Sequence, residues 1–344
     1  MRIIYSEEHE HHHGAKELNR GELVPMFEMP SRVDMILKRL TDTGFGDIAD
    51  ADHFGDEAVV AVHARDYVDF LASAWRDWVR EEGDGGFAIA WVFPGRGLRQ
   101  IAPRSIHGKL GYYAFDVAMP IVEGTWRAVR AAVDVALTGQ RIVSGGGGAV
   151  FSLCRPPGHH AMRDLGGGYC YLNNAAVAAQ AFRDSGAERV AVLDVDYHHG
   201  NGTQAIFYRR DDVLFVSLHG DPETEFPYYS GYADETGEAA GRGCNLNLPL
   251  PPGTRWKEYA EALRRAAARI GEFSPHALVV SLGVDTFKGD PISKFRLEND
   301  DYLRMGEHIA AMGLPTLFVM EGGYAVEDIG INTVNVLEGF EERS

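Results

Sequence analysis

The sequence predicts an α/β protein: a single domain built on an open, mostly parallel β-sheet with helices on both faces. Three observations predict it. Short apolar, β-branched runs recur along the chain, alanine-rich helical patterns lie between them, and the runs empty into polar residues and glycine. At 344 residues, 45% hydrophobic and 24% charged, the chain has the size and balance of a globular protein with a large core. No composition break marks a second domain, so one unit is expected over residues 1–344.

Arg2–Tyr5 opens the chain as a strand. Residues 81–111, with DGGF and then PGRGLRQIAPR, read as a long loop excursion on the rim. Apolar Trp91–Phe93 predicts that this excursion is docked. The glycines 145–148 lack a following Gly-Lys-Ser/Thr, so they read as a turn and not a phosphate loop. Ala149–Leu153 is the next strand and ends in CRPPGHH; Asn174–Asp184 is helical; Val190–Val195 ends in DYHHGNG. Val213–Leu218 leads to HGDPE, Trp256–Phe273 is helical, Leu278–Leu282 leads to GVDTFKGDP, and Thr316–Met320 leads to EGGY. In an open α/β sheet, ligands bind beyond the carboxyl ends of the strands. Polar residues far apart in sequence are therefore expected to converge on one crevice.

A formal net charge of −17 argues against nucleic acid as a partner and suits a cationic ligand. No stretch approaches the roughly 18 apolar residues of a membrane span, and the first residues, MRIIYSEEHE, lack a secretion signal. A cytoplasmic location and no membrane partner are expected. Cys154, Cys170 and Cys244 are too few for a disulfide framework, and the first two read as buried, reduced thiols. The tract His9–His13, without zinc-finger spacing, reads as a solvated rim loop. No Gly-x-Ser-x-Gly elbow is present, which removes a serine hydrolase.

The densest chemistry lies in Asp194-Val-Asp196-Tyr-His198-His199. In extended chain, residues two apart point the same way, so Asp196 and His198 can reach one point with Asp194 behind them. Asp285, at another strand end, supplies a third ligand. One imidazole and two carboxylates with an open position suit a divalent metal; zinc is expected, and Fe²⁺ or Co²⁺ also fit this set. His159 and His160 follow a Pro-Pro-Gly turn, where both imidazoles can face the pocket and handle protons. Behind Glu321-Gly-Gly, the Tyr324 phenol can donate to a developing oxyanion.

RPPGHH, LDVDYHHGNGT, SLHGDP, LGVDTF and EGGY, in this order over Ala149–Tyr324, resemble the histone deacetylase superfamily, whose arginase/deacetylase fold is shared with arginase. GELVPMFEMPSR, GYYAFD and SLGVDTFKGDPIS extend the resemblance to the bacterial acetylpolyamine amidohydrolases over nearly the whole chain. The resemblance implies Asp196, His198 and Asp285 as metal ligands, His159 as general base with His160 as acid, and Tyr324 as oxyanion donor. It implies Asp194 as the hydrogen-bond partner of His159. Tyr169 and Phe226 become channel walls with Ile292 at the lip. It further implies structural potassium near Asp194, Asp196, His198, Ser217 and Leu218, and a homodimer whose excursions narrow the entrance.

Two positions depart from the family pattern. Asn201 stands behind His160 where many deacetylases carry aspartate. Ala118 occupies the place of an acidic residue that meets the substrate amine, leaving Asp116 as a substitute. The expected activity is zinc-dependent deacetylation of acetylpolyamines of the acetylputrescine and acetylcadaverine class. His159 takes a proton from water, Tyr324 donates to the oxyanion, and His160 helps protonate the leaving amine. The alternatives are deacetylation of acetyl-lysine in proteins or of other small N-acetyl amides, and a metal-bound binding protein without turnover.

Overall fold

The computed structural model describes residues 1–19 and 21–343. Ten strands are present among them: β1 (Arg2–Tyr5), β2 (Lys16–Asn19), β3 (Glu22–Pro25), β4 (Asp47–Asp50), β5 (Val150–Ser152), β6 (Val190–Asp194), β7 (Val213–Gly220), β8 (Asn245–Leu250), β9 (Ala277–Leu282) and β10 (Thr316–Met320). Eight form one parallel sheet in the order β4-β1-β5-β10-β9-β6-β7-β8, while β2 and β3 pair as an antiparallel hairpin. The helices are α1 (Ser31–Thr43), α2 (Glu57–Val62), α3 (Arg65–Glu82), α4 (Ile106–Tyr112), α5 (Thr125–Ser144), α6 (Asn174–Asp184), α7 (Asn201–Phe207), α8 (Trp256–Phe273), α9 (Asn299–Ala310) and α10 (Val326–Glu341).

Side chains alternate across the sheet, as the two-residue period of a strand requires. Val190 and Val192 of β6 join one core with α3, α5 and α6, while Ala191 and Leu193 join the other with α1, α8, α9 and α10. Because both faces are covered, the inner strands carry unbroken apolar runs. These are the runs visible in the sequence. The edge strands are not visible: DIAD of β4 is largely exposed, and NLNLPL of β8 is only half buried.

The topology places the site. From β5 the chain crosses to β6, and the gap between them is later filled by β10 and β9. The four neighbouring strands β5, β10, β9 and β6 end in CRPPGHH, EGGY, GVDTF and DYHHGNG. Their carboxyl ends therefore share one rim.

Two expectations need correction. The excursion is shorter than residues 81–111: α3 runs through Glu82 and α4 begins at Ile106, leaving residues 83–105 without regular helix. It docks through buried Ala88 and Ala90 and part-buried Phe93, not through Trp91, which is 72% exposed. The His9–His13 tract is not a solvated loop either. His9 and His12 are buried, and His12 Nδ1 lies 3.0 Å from the Thr125 hydroxyl.

Candidate active site

The strand ends bring Asp196, His198 and Asp285 together: one donor atom from each lies within 4.8 Å of the others, and all three residues are buried. His198 Nδ1 is 2.9 Å from Asp285 Oδ2 and 3.3 Å from Asp196 Oδ1. The second carboxylate oxygens are held by backbone amides, Asp196 Oδ2 by Gly322 (2.8 Å) and Asp285 Oδ1 by Tyr197 (2.7 Å). Burial opposes charge on His198, yet Asp196 and Asp285 override it and push the imidazole up to about 10. Burial and the neighbouring Asp196 raise Asp285. His198 Nδ1 thus faces two buried carboxylates, a donor arrangement that a divalent cation would occupy with release of any bound proton.

The surrounding backbone keeps this space clear. A Cβ on Gly322 would stand 2.5 Å from Asp196 Oδ2 and 2.8 Å from Asp285 Oδ2, so only glycine fits there. The donor set, two carboxylates and one imidazole with an open side, fits a transition-metal ion.

His159 and His160 adjoin this centre, their rings 4.0 Å apart. Their turn is held by Glu321, whose carboxylate accepts from the Gly158 amide (2.7 Å) and the His159 amide (3.1 Å). Nδ1 of His159 donates to Asp194 Oδ2 at 3.0 Å, leaving Nε2 3.8 Å from Asp196 Oδ1. Burial lowers the His159 imidazole, but Asp194 and Asp196 prevail and push it up to about 10. His160 differs. Its Nδ1 donates to the Asn201 amide oxygen at 2.6 Å, and burial, followed by the charges of His159 and His198, holds it far below 6.5.

Tyr324 stands at the edge, its ring 5.6 Å from Tyr169. The residue is buried, and among the described residues its hydroxyl has no protein hydrogen-bond partner. Arg32 lies over the ring at 4.9 Å and donates to the carbonyls of Gly323 (2.7 Å) and Glu321, clamping the EGGY turn. Asp290 accepts from the Tyr324 amide at 2.8 Å and the Ile292 amide at 3.0 Å, so it ties the lip to this turn.

Phe226 stands edge-on to His160 at 5.1 Å. A cavity of about 740 Å³ reaches His198 and is lined by Phe226, Ile292, Glu225, Tyr228 and hairpin residues including Val24. Tyr169 lies with Tyr324, Met26, Ala118 and Ile292 in one cluster, its hydroxyl donating to Glu17 at 2.7 Å. Ser217 pairs in register with Asp194, and its hydroxyl lies 2.7 Å from His219 Nδ1; Leu218 is buried beside it.

Asp116 does not present a free carboxylate to a substrate amine. Its oxygens accept from the Ala118 amide (2.9 Å) and the Gly168 amide (3.0 Å), which makes it a loop clamp. The buried network around Glu28 was missed in the sequence. Glu28 accepts from Arg32 (3.0 Å) and from Arg155 (2.7 and 3.1 Å), while Arg155 also holds the carbonyls of His9 and His12. Burial alone would raise Glu28, but Arg155 and Arg32 hold it below the usual carboxylate range. Its only sequence signal is the placement of three charges beside motif residues.

Comparison with known proteins finds relatives over nearly the whole chain. The Histone deacetylase domain profile matches residues 26–340. Acetylpolyamine amidohydrolase 1 of Pseudomonas aeruginosa is 57% identical over 343 residues, 99% of each chain. The acetylpolyamine amidohydrolase of Mycoplana ramosa is 50% identical over 339 residues, 98% of this chain and 99% of its own. A crystal structure of acetylpolyamine aminohydrolase from Burkholderia pseudomallei superposes with a TM-score of 0.95 at 38% identity, covering 100% of this chain and 99% of that one. With its fold, its rim of strand-end motifs and these matches in agreement, the chain belongs to the histone deacetylase family.

Proposed function

We propose that this protein is a zinc-dependent amidohydrolase that deacetylates acetylpolyamines of the acetylputrescine and acetylcadaverine class. One observation carries the chemistry: the Asp196, His198 and Asp285 donors converge within 4.8 Å, beside two imidazoles with different partners. The names of the relatives, at 50% and 57% identity, support the substrate class.

Asp196, His198 and Asp285 would hold the ion, which when bound supplies Lewis acidity to the acetamide oxygen and to water. Fe²⁺ and Co²⁺ suit the same donors. A structural potassium ion near Asp194, Asp196, His198, Ser217 and Leu218 belongs to the same proposal, supported by the side-by-side pairing of Asp194 and Ser217.

Proton roles follow from hydrogen-bond partners. An amide oxygen accepts from His160 Nδ1, so Nε2 keeps its lone pair and is the site that takes a proton from water. A carboxylate faces His159 Nδ1, so this ring is the one held as imidazolium, placed to stabilise charge and donate toward the leaving nitrogen. This reverses the base and acid expected from the resemblance, and Asn201 is the reason. Tyr324, with an unshared hydroxyl and a backbone clamped by Arg32 and Asp290, donates to the oxyanion. Phe226 and Tyr169 exclude water around a slender chain.

The exposed side chains of Trp91 (72%), Leu98 (60%) and Ile101 (51%) on the excursion support a homodimer joined there. Trp91→Glu should then yield monomers by light scattering; an unchanged mass contradicts that interface. For the substrate, N-acetylputrescine, N-acetylcadaverine and an acetyl-lysine peptide should be compared at equal enzyme. The acetylated diamines are expected to have the higher kcat/KM. A faster peptide would retain the chemistry and overturn the polyamine assignment.

A further inference from the structure

The buried imidazole of His9 is left unexplained by the catalytic crevice. His9 is 3% exposed, and neither ring nitrogen has a hydrogen-bond partner among the described residues. A buried, unpaired donor and acceptor is costly and needs a partner. The sequence around it is acidic: His9 sits in the turn Glu7–His11, across from the first turn of α1. One donor atom each from His9, Glu10 and Asp34 lies within 4.8 Å of the others. Glu10 and Asp34 are exposed, and neither is ion-paired within the described residues. Burial first, and then the negative charges of Glu7, Glu10, Asp34 and Asp50, push the nearby Tyr5 hydroxyl up to about 12. Burial and Arg155 hold the His9 imidazole down to about 4, so its lone pair is available at neutral pH.

We infer a second divalent-metal site, formed by His9, Glu10 and Asp34 and separate from the Asp196 centre. One imidazole nitrogen and two carboxylates suit Zn²⁺ or a neighbouring transition-metal ion, with water completing its shell. The ion ties the N-terminal turn to α1. That position is structural: the His9 carbonyl accepts from Arg155, and Asp34 lies two residues beyond Arg32, so both ends of the Glu28 network are braced. Occupancy therefore acts on stability.

The full-length protein should be loaded with Zn²⁺, desalted, and analysed for zinc per chain and for melting temperature. A Glu10→Gln/Asp34→Asn double variant changes only exposed side chains, and its fold is checked by its melt without added zinc. Two zinc ions per chain are expected in the wild type. The double variant should lose one, with second-site affinity weakened at least about tenfold and the zinc-dependent rise in melting temperature reduced. A His11→Asn/His13→Asn variant should keep both ions. In an Asp285→Asn background, which removes a ligand of the Asp196 centre, one ion should remain and should vanish on adding Glu10→Gln/Asp34→Asn. The inference is overturned by a single ion in the wild type, by a second ion that survives Glu10→Gln/Asp34→Asn, or by one lost with the exposed His11 and His13.

Discussion

The oxyanion-donor role proposed for Tyr324 can be tested separately, because its backbone is held by Arg32 and Asp290 while its hydroxyl has no protein partner among the described residues. Tyr324→Phe should lower kcat by about 10²–10³ with little change in KM, as expected for one oxyanion donor. An unimpaired Phe variant, measured on acetylputrescine, contradicts that role. The two histidines separate in the same way. Asn201→Asp places a carboxylate against His160 Nδ1, which stabilises its imidazolium and raises its proton affinity. The acidic limb of the kcat/KM profile should then move to higher pH; a limb that stays in place means His160 is not the base.

Between elements, buried charge does the fastening. Glu28 joins α1 to Arg155 of the turn that carries His159 and His160, and Arg32 joins α1 to the Tyr324 turn. Glu28→Gln keeps the shape but leaves two buried guanidinium groups without a counter-charge. A loss on the order of 3–5 kcal/mol in denaturant unfolding is expected. A loss under about 1 kcal/mol would show that the network is not holding these elements. His63, closing α2, bridges the Met162 carbonyl (2.8 Å) and the Asn173 amide (2.9 Å) as a neutral ring. Burial pushes it down to about 4. Unfolded, it takes up a proton near pH 6.5, so its contribution is present above that pH and is lost as pH falls toward 4. Replacing it with glutamine should flatten the stability profile between those limits by up to about 3 kcal/mol. An unaltered slope contradicts the neutral bridge. Neither bridge was legible in the sequence. Glu28 and Arg155 lie 127 positions apart, and such a pair leaves no periodic trace.

At the scale of the molecule, legibility follows burial and motif density. Inner strands such as Val190–Asp194 stand out because both faces are covered, and their polar ends stand out because candidate metal-binding side chains crowd into a few residues. Edge strands β4 and β8 lack the apolar run, and His9 looks like part of an exposed tract until the fold buries it. Asp116 shows the converse: its position suggested amine recognition, whereas its oxygens serve the loop at Gly168. The parallel sheet brings the ends of β5, β10, β9 and β6 to one rim, and the claim that rests on this arrangement is metal-dependent deacetylation. The direct measurement is release of acetate from N-acetylputrescine by native protein, by protein dialysed against a chelator, and by the same sample restored with Zn²⁺. Activity that disappears with chelation and returns with stoichiometric Zn²⁺ is the predicted result. Turnover that persists in protein shown to be free of divalent metal would contradict the account at its centre.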